Sequence, residues 1–118
     1  MQKTKVVGVT FDGRQHNISK VNPIVDKLIA LREPDNPYDK NAIHIFVEKA
    51  RGGRETIGYI NRGLAAELAP EMDQGKQLII HDYSITGSQE PGISMGVIIE
   101  YDLHPSLDPP KTMYGEAQ

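Results

Sequence analysis

The 118-residue chain contains no cysteine. Disulfides and thiolate metal centres are therefore excluded, and a chain of this length forms one domain with enough core to fold without them. Its apolar residues come in short runs, well below the roughly 20 needed to span a bilayer. Met1-Gln2-Lys3-Thr4-Lys5 leads only into a short valine-rich segment, with neither the apolar stretch nor the cleavage site of a secretory signal. These absences predict a soluble, cytoplasmic protein. There is no G-x-x-x-x-G-K-[ST] run, so a P-loop ATPase is excluded. His16, His44, His81 and His104 are far apart and match neither H-x-x-x-H nor H-E-x-x-H, and no metal or other cofactor is expected. Asp35 and Asp39 lack the third carboxylate and general-base lysine that would complete a magnesium nuclease pattern.

What is present is unevenly distributed. The net charge is −3, which on its own argues against nucleic acid. Yet residues 1–62 carry 11 Lys and Arg against 7 Asp and Glu, and residues 63–118 carry 2 against 9. A basic half and an acidic half are compatible with one phosphate-facing surface, and equally with scattered solvated side chains.

Short β-branched runs separated by glycine and proline dominate the pattern. A first strand is predicted over residues 5–11, ending at Asp12-Gly13. Residues 14–23 read as an irregular connection or a short helical turn, and residues 27–33 as a strand. Pro34 and Pro37 block both helix and ladder between them. From Ala42 to Glu48, Ile43, Ile45 and Val47 share one face and His44, Phe46 and Glu48 the other, with His44 expected toward solvent. Residues 56–60 form the next strand. Asn61 then caps a helix over 63–74, with Leu64, Leu68 and Met72 on its core face and Gly75 as its stop. Pro70 should kink or split that helix. Strands follow over 77–85 and 93–103. The expected fold is mainly β, a small OB-like barrel of about six strands with one or two short helices. The domain should cover residues 1–104, with residues 105–118 a fraying, proline-rich tail. No βαβ alternation is visible, which excludes a parallel nucleotide-binding sheet.

The most informative segment is Asn36-Pro37-Tyr38-Asp39-Lys40-Asn41-Ala42-Ile43. Proline presents the tyrosine from a stiff loop, and a rigid exposed aromatic is a stacking platform for a nucleobase. Asp39 could accept a hydrogen bond from a sugar hydroxyl, and Lys40 could approach phosphate. The plainer alternative is a turn in which Asp39 and Asn41 bond their own backbone.

Three blocks of the chain, in order and spacing, resemble the HIRAN domain family over residues 5 to about 100. They are Val6-Val7-Gly8-Val9-Thr10-Phe11, then Leu31-Arg32-Glu33-Pro34-Asp35-Asn36-Pro37-Tyr38-Asp39-Lys40-Asn41-Ala42-Ile43, then Ile57-Gly58-Tyr59-Ile60-Asn61-Arg62 followed by Leu64-Ala65. The resemblance implies an OB-like barrel and capture of the 3′-hydroxyl end of single-stranded DNA, as in the best-understood member. It implies that Tyr38 stacks on the terminal base, with Phe11 as a second aromatic wall. Asp39 would bond the terminal hydroxyl, Asn36 would shape the loop and touch the nucleotide, and Arg62 would meet phosphate beside a helix N-terminus. Two positions depart from that member: Thr10 stands where it has a basic residue, and Tyr59 where it has histidine. One phosphate contact is thereby lost and one aromatic gained, which predicts weaker binding than in that member, or a different preferred end. Arg14, Lys40, Arg51 and Arg54 are candidates to compensate. Relatives often join this module to a helicase or nuclease domain, so such an activity is expected from a partner. Two further readings stay open: a protein-interaction or self-association module whose DNA site is lost, and a hydrolase acting on nucleic acid or nucleotides.

Overall fold

The computed structural model describes residues 1–88, 90 and 92–105. The strands are β1 (Gln2–Lys5), β2 (Lys27–Arg32), β3 (Ile43–Glu48), β4 (Arg54–Tyr59), β5 (Gln77–Thr86) and β6 (Gly96–His104). The helices are α1 (Arg14–Ser19), between β1 and β2, and α2 (Arg62–Asp73), between β4 and β5. The fold is mainly β, as the pattern of short strands predicts. All but residue 105 of the expected tail lie outside the described residues.

The strands form two antiparallel three-stranded sheets, ordered β2-β3-β4 and β1-β6-β5. One seam joins them. Val6 donates to the Val97 carbonyl at 2.8 Å and so still belongs to the sheet of β1. Val7 instead exchanges both backbone hydrogen bonds with Tyr59 of β4, at 2.8 and 2.9 Å. Gly58 permits this crossing, because a Cβ there would lie 2.4 Å from the Val7 carbonyl oxygen. Among the described residues no ladder joins β2 to β5, so the barrel stays open on that side. The two edge strands instead face each other across a groove.

The first predicted strand is corrected. It was expected over residues 5–11, but regular pairing covers Gln2–Lys5. Gly8 adopts φ +72°, in the left-handed region, and turns the chain out of the strand. Residues 8–13 then form a turn ahead of α1. The other strands fall within a few residues of their expected places.

Alternation on β3 works as the sequence implies. Ile43, Ile45 and Val47 are fully buried and meet Ile57, Val97 and Ile99 in the core. Burying each such side chain contributes about 1.5–3 kcal/mol. Asn61 caps α2 by accepting from the Leu64 N–H at 2.9 Å. The helix ends with Gly75 at φ +105°, the Gly75 N–H on the Met72 carbonyl and the Lys76 N–H on that of Glu71. Pro70 does not split it; α2 runs unbroken through that position. Ala66, whose carbonyl loses its partner there, is exposed, so water can replace the missing N–H. Leu64, Leu68 and Met72 pack against the core but are only partly covered, while Ala65 and Ala69 are the buried residues of the helix.

Candidate nucleic-acid interface

The loop between β2 and β3 is braced at every level. Its base closes through the Glu33 N–H to the Ala42 carbonyl at 2.9 Å. Asn36 Oδ1 accepts from the Tyr38 N–H at 2.8 Å and the Asp39 N–H at 3.0 Å. Asp39 Oδ1 accepts from the Asn41 N–H at 2.9 Å. Arg32 clamps the loop from the side. Its guanidinium donates to the Ala42 carbonyl at 2.8 Å, to the Lys40 carbonyl at 3.0 Å, and to both carboxylate oxygens of Asp73 on α2. Tyr38 rides on this frame with 85% of its surface exposed. A large aromatic held in water by a stiff loop has already lost the entropy that ordering a flexible one would cost.

Asn36, Tyr38, Asp39, Lys40 and Arg62 line one cleft, with Ala66 of α2 at its wall. Arg62 donates to the Tyr38 carbonyl at 2.9 Å, and its Nε lies 3.9 Å from Asp39 Oδ2. The side chain is otherwise 77% exposed. It stands in the first turn of α2, where the helix dipole adds partial positive charge. The cleft thus combines an aromatic face, a carboxylate whose Oδ2 takes no backbone hydrogen bond among the described residues, and a cation.

Beneath the loop lies a polar network. Glu33 Oε1 accepts from the Tyr59 hydroxyl at 2.6 Å and pairs with His44 Nδ1 at 3.1 Å, while its Oε2 accepts from Asn36 Nδ2 at 3.3 Å. His44 Nε2 meets the Thr56 hydroxyl at 2.6 Å, which also accepts from Arg14 Nε at 3.2 Å. Arg14 Nη1 reaches the Gly8 carbonyl at 2.7 Å. The chain of contacts runs from the turn carrying Phe11 to the loop carrying Tyr38. The Tyr59 hydrogen bond draws the Glu33 carboxyl below its ordinary pKa. Burial and the Glu33 charge push the Tyr59 hydroxyl up to about 12. Burial holds the His44 imidazole below its ordinary value, against the pull of Glu33. A neutral His44 with its proton on Nδ1 satisfies both neighbours, donating to Glu33 and accepting from Thr56.

The HIRAN domain family model matches residues 1–102. The chain belongs to the HIRAN domain family. Over 49 residues it is 49% identical to the helicase-like transcription factor of Oryctolagus cuniculus, a stretch that is 41% of this chain and 4% of that protein. No solved structure matches the chain.

In this HIRAN domain the expected site residues fall into three groups. Asn36, Tyr38, Asp39, Lys40 and Arg62 come together in the cleft. Thr10 and Phe11 lie outside its lining, on the turn after Gly8, with Phe11 65% exposed. Tyr59 is engaged inside the fold: its ring stacks on His44 with centroids 4.2 Å apart, the Arg14 guanidinium lies 5.2 Å from its centroid, and its hydroxyl is on Glu33. The structure therefore places it as a support beneath the loop. Arg14 is only 8% exposed and spends its donors internally, so it does not compensate for Thr10. Arg51 and Arg54 sit at the turn end of the β3–β4 hairpin, about 20 Å along β3 from the Tyr38 loop.

His44 is also corrected. It was expected toward solvent and instead stacks between Phe46, at 4.0 Å, and Tyr59. Around His44 the outer face of β3 is partly covered by Phe46 and Tyr59, which strand periodicity does not reveal. Sequence reasoning also missed Glu33, Thr56 and Arg32. Glu33 and Arg32 are adjacent, just before Pro34, where a loop must be pinned; that position was the available signal.

Proposed function

We propose that this HIRAN domain is a non-catalytic module that binds ends of single-stranded DNA. The observation that carries this reading is the braced, exposed Tyr38 beside Asp39 and Arg62 in one cleft. The terminal base stacks on Tyr38, a contact worth about 1–3 kcal/mol. Asp39 Oδ2 accepts the terminal 3′-hydroxyl, since its Oδ1 is held by the Asn41 N–H. Arg62, with Lys40 nearby and the α2 N-terminus behind it, meets the adjoining phosphate. A carboxylate only accepts, so a terminal phosphate in place of the hydroxyl would set two anions against each other. That is the physical basis of end selection. The resemblance to end-binding family members supports the same assignment, and a helicase or nuclease supplies the chemistry performed on the captured end.

Fluorescence titration with 3′-hydroxyl, 3′-phosphate and 5′-end-only oligonucleotides, at two salt concentrations, tests the reading. The 3′-hydroxyl strand binds at least about tenfold more tightly than the 3′-phosphate strand, and Tyr38→Ala weakens it by the 1–3 kcal/mol of one stack. Equal affinity for all ends, or binding indifferent to Tyr38→Ala, sinks end capture.

A second reading is favoured by a different surface. Ile24 and Val25 are exposed at the groove between the open edges of β2 and β5. Unpaired strand edges beside apolar side chains suit association with another chain. A concentration-dependent mass in sedimentation, with no oligonucleotide bound, would establish that reading over the first.

A further inference from the structure

β6 ends Asp102-Leu103-His104, so Asp102 and His104 stand two apart on one face of the strand. The pairing of β5 with β6 is regular from Gln77 to Ile80 and slips before Asp82, leaving His81 as the extra residue of a bulge. A bulge re-aims the side chain it carries. Here His81 Nε2 lies 3.0 Å from Asp102 Oδ2, and His104 Nε2 lies 3.8 Å from the same oxygen. One potential ligand atom from each of the three lies within 4.8 Å of the others.

We propose that His81, Asp102 and His104 form a binding site for a divalent first-row transition ion of the zinc type. Two imidazole nitrogens and a carboxylate oxygen are the donor set such ions take, with solvent completing the shell. Metal–ligand bonds of about 2.0–2.1 Å place tetrahedral donors roughly 3.3 Å apart. The two separations, 3.0 and 3.8 Å, bracket that spacing. The three side chains are 35%, 37% and 53% exposed in chain order, so small rotations can draw the nitrogens onto an ion. Asp102 Oδ1 faces the Met1 α-amino group at 3.7 Å, which leaves Oδ2 as the coordinating oxygen. Asp82 and Glu100 pair across the same hairpin and add negative charge, part of which Lys3 offsets at 3.3 Å from Glu100. The separation of the histidines in sequence hid this group: its ligands come from two strands, and their spacing matches no local motif.

The ligands lie on the sheet β1-β6-β5, whereas Tyr38 belongs to a loop of the sheet β2-β3-β4. Metal binding and end binding are therefore separately testable. Untagged protein is titrated calorimetrically with zinc chloride and, in parallel, magnesium chloride. Zinc binds at one site per chain and raises Tm, and magnesium does neither. His81→Ala and His104→Ala each weaken zinc by roughly tenfold or more, at least as much as losing an outer-shell partner costs a metal site. His16→Ala, at a histidine on α1 that is not one of the three ligands, leaves affinity unchanged. If the alanine variants unfold, Asp102→Asn and the visible absorption of the cobalt-loaded protein give the same answer. Absence of zinc binding, or affinity retained in all three variants, overturns the proposal.

Discussion

The Tyr59 hydroxyl donates to Glu33 Oε1 across 2.6 Å, joining the last residue of β4 to the residue that opens the Tyr38 loop. This contact makes Glu33 a hub. Through Oε2 it also holds Asn36, whose side chain fixes the backbone of Tyr38 and Asp39. Tyr59→Phe keeps the ring on His44 and removes only the donor. It should lower unfolding stability by about 1.5–3 kcal/mol, as expected for a hydrogen bond to a charged group. Urea denaturation measures that loss. Oligonucleotide affinity should fall as well, although Tyr59 lies outside the lining of the cleft.

Arg62→Gln should weaken oligonucleotide binding without unfolding the domain, because the side chain is largely solvent-exposed. Losing one phosphate contact on a single strand reduces the slope of log affinity against log salt by about 0.7. A titration series over salt concentration reads that slope. An unchanged slope would remove Arg62 from the phosphate-binding group.

Stability should fall on mild acidification because of His44. Its folded pKa lies below the ordinary 6.5, chiefly through burial and in part through Arg14, while Glu33 pulls the other way. Tyr59, Phe46 and Thr56 also pack against the ring. The unfolded chain therefore binds the proton first. The contribution is whole above 6.5 and is lost as pH drops from there through the folded value. His44→Gln should flatten this part of the pH–stability curve in chemical denaturation.

A second acid transition belongs to Asp26. Its carboxylate accepts from Lys49 Nζ at 2.8 Å, the Asn22 N–H at 2.9 Å and the Ala50 N–H at 3.1 Å. These contacts, the Lys49 hydrogen bond first, draw its pKa from 3.8 to about 2. The stabilisation is present above 3.8 and disappears as pH falls toward about 2. Asp26→Asn should lower Tm at neutral pH and abolish the acid dependence in that window, as followed by thermal melts.

Gly58→Ala should damage the seam between the sheets. The new Cβ would meet the Val7 carbonyl oxygen at 2.4 Å and Val6 Cγ1 at 2.7 Å, backbone and buried side chain with little room to yield. Overpacking of this kind costs about 1–3 kcal/mol. Hydrogen exchange should show faster loss of the Val7 and Tyr59 amide protons, which pair across the seam.

Much of this protein was legible as sequence because the deciding forces are local. Alternation on β3 buried Ile43, Ile45 and Val47, Asn61 and Gly75 set the ends of α2, and two prolines marked the Tyr38 loop. The ordered blocks around Asn36-Pro37-Tyr38-Asp39 pointed to the HIRAN family, and five of the expected site residues share one cleft. Tertiary structure decided the rest, because strand pairing brings together residues that no local pattern relates. It drew Arg14, Glu33, His44, Thr56 and Tyr59 from four segments into one network, so that His44 left solvent and Tyr59 became a support. It ended the first strand at Lys5, after which the chain crosses between the sheets at Val6 and Val7. It also carried His81 to Asp102 and His104, through a one-residue slip in register that depends on two strands at once.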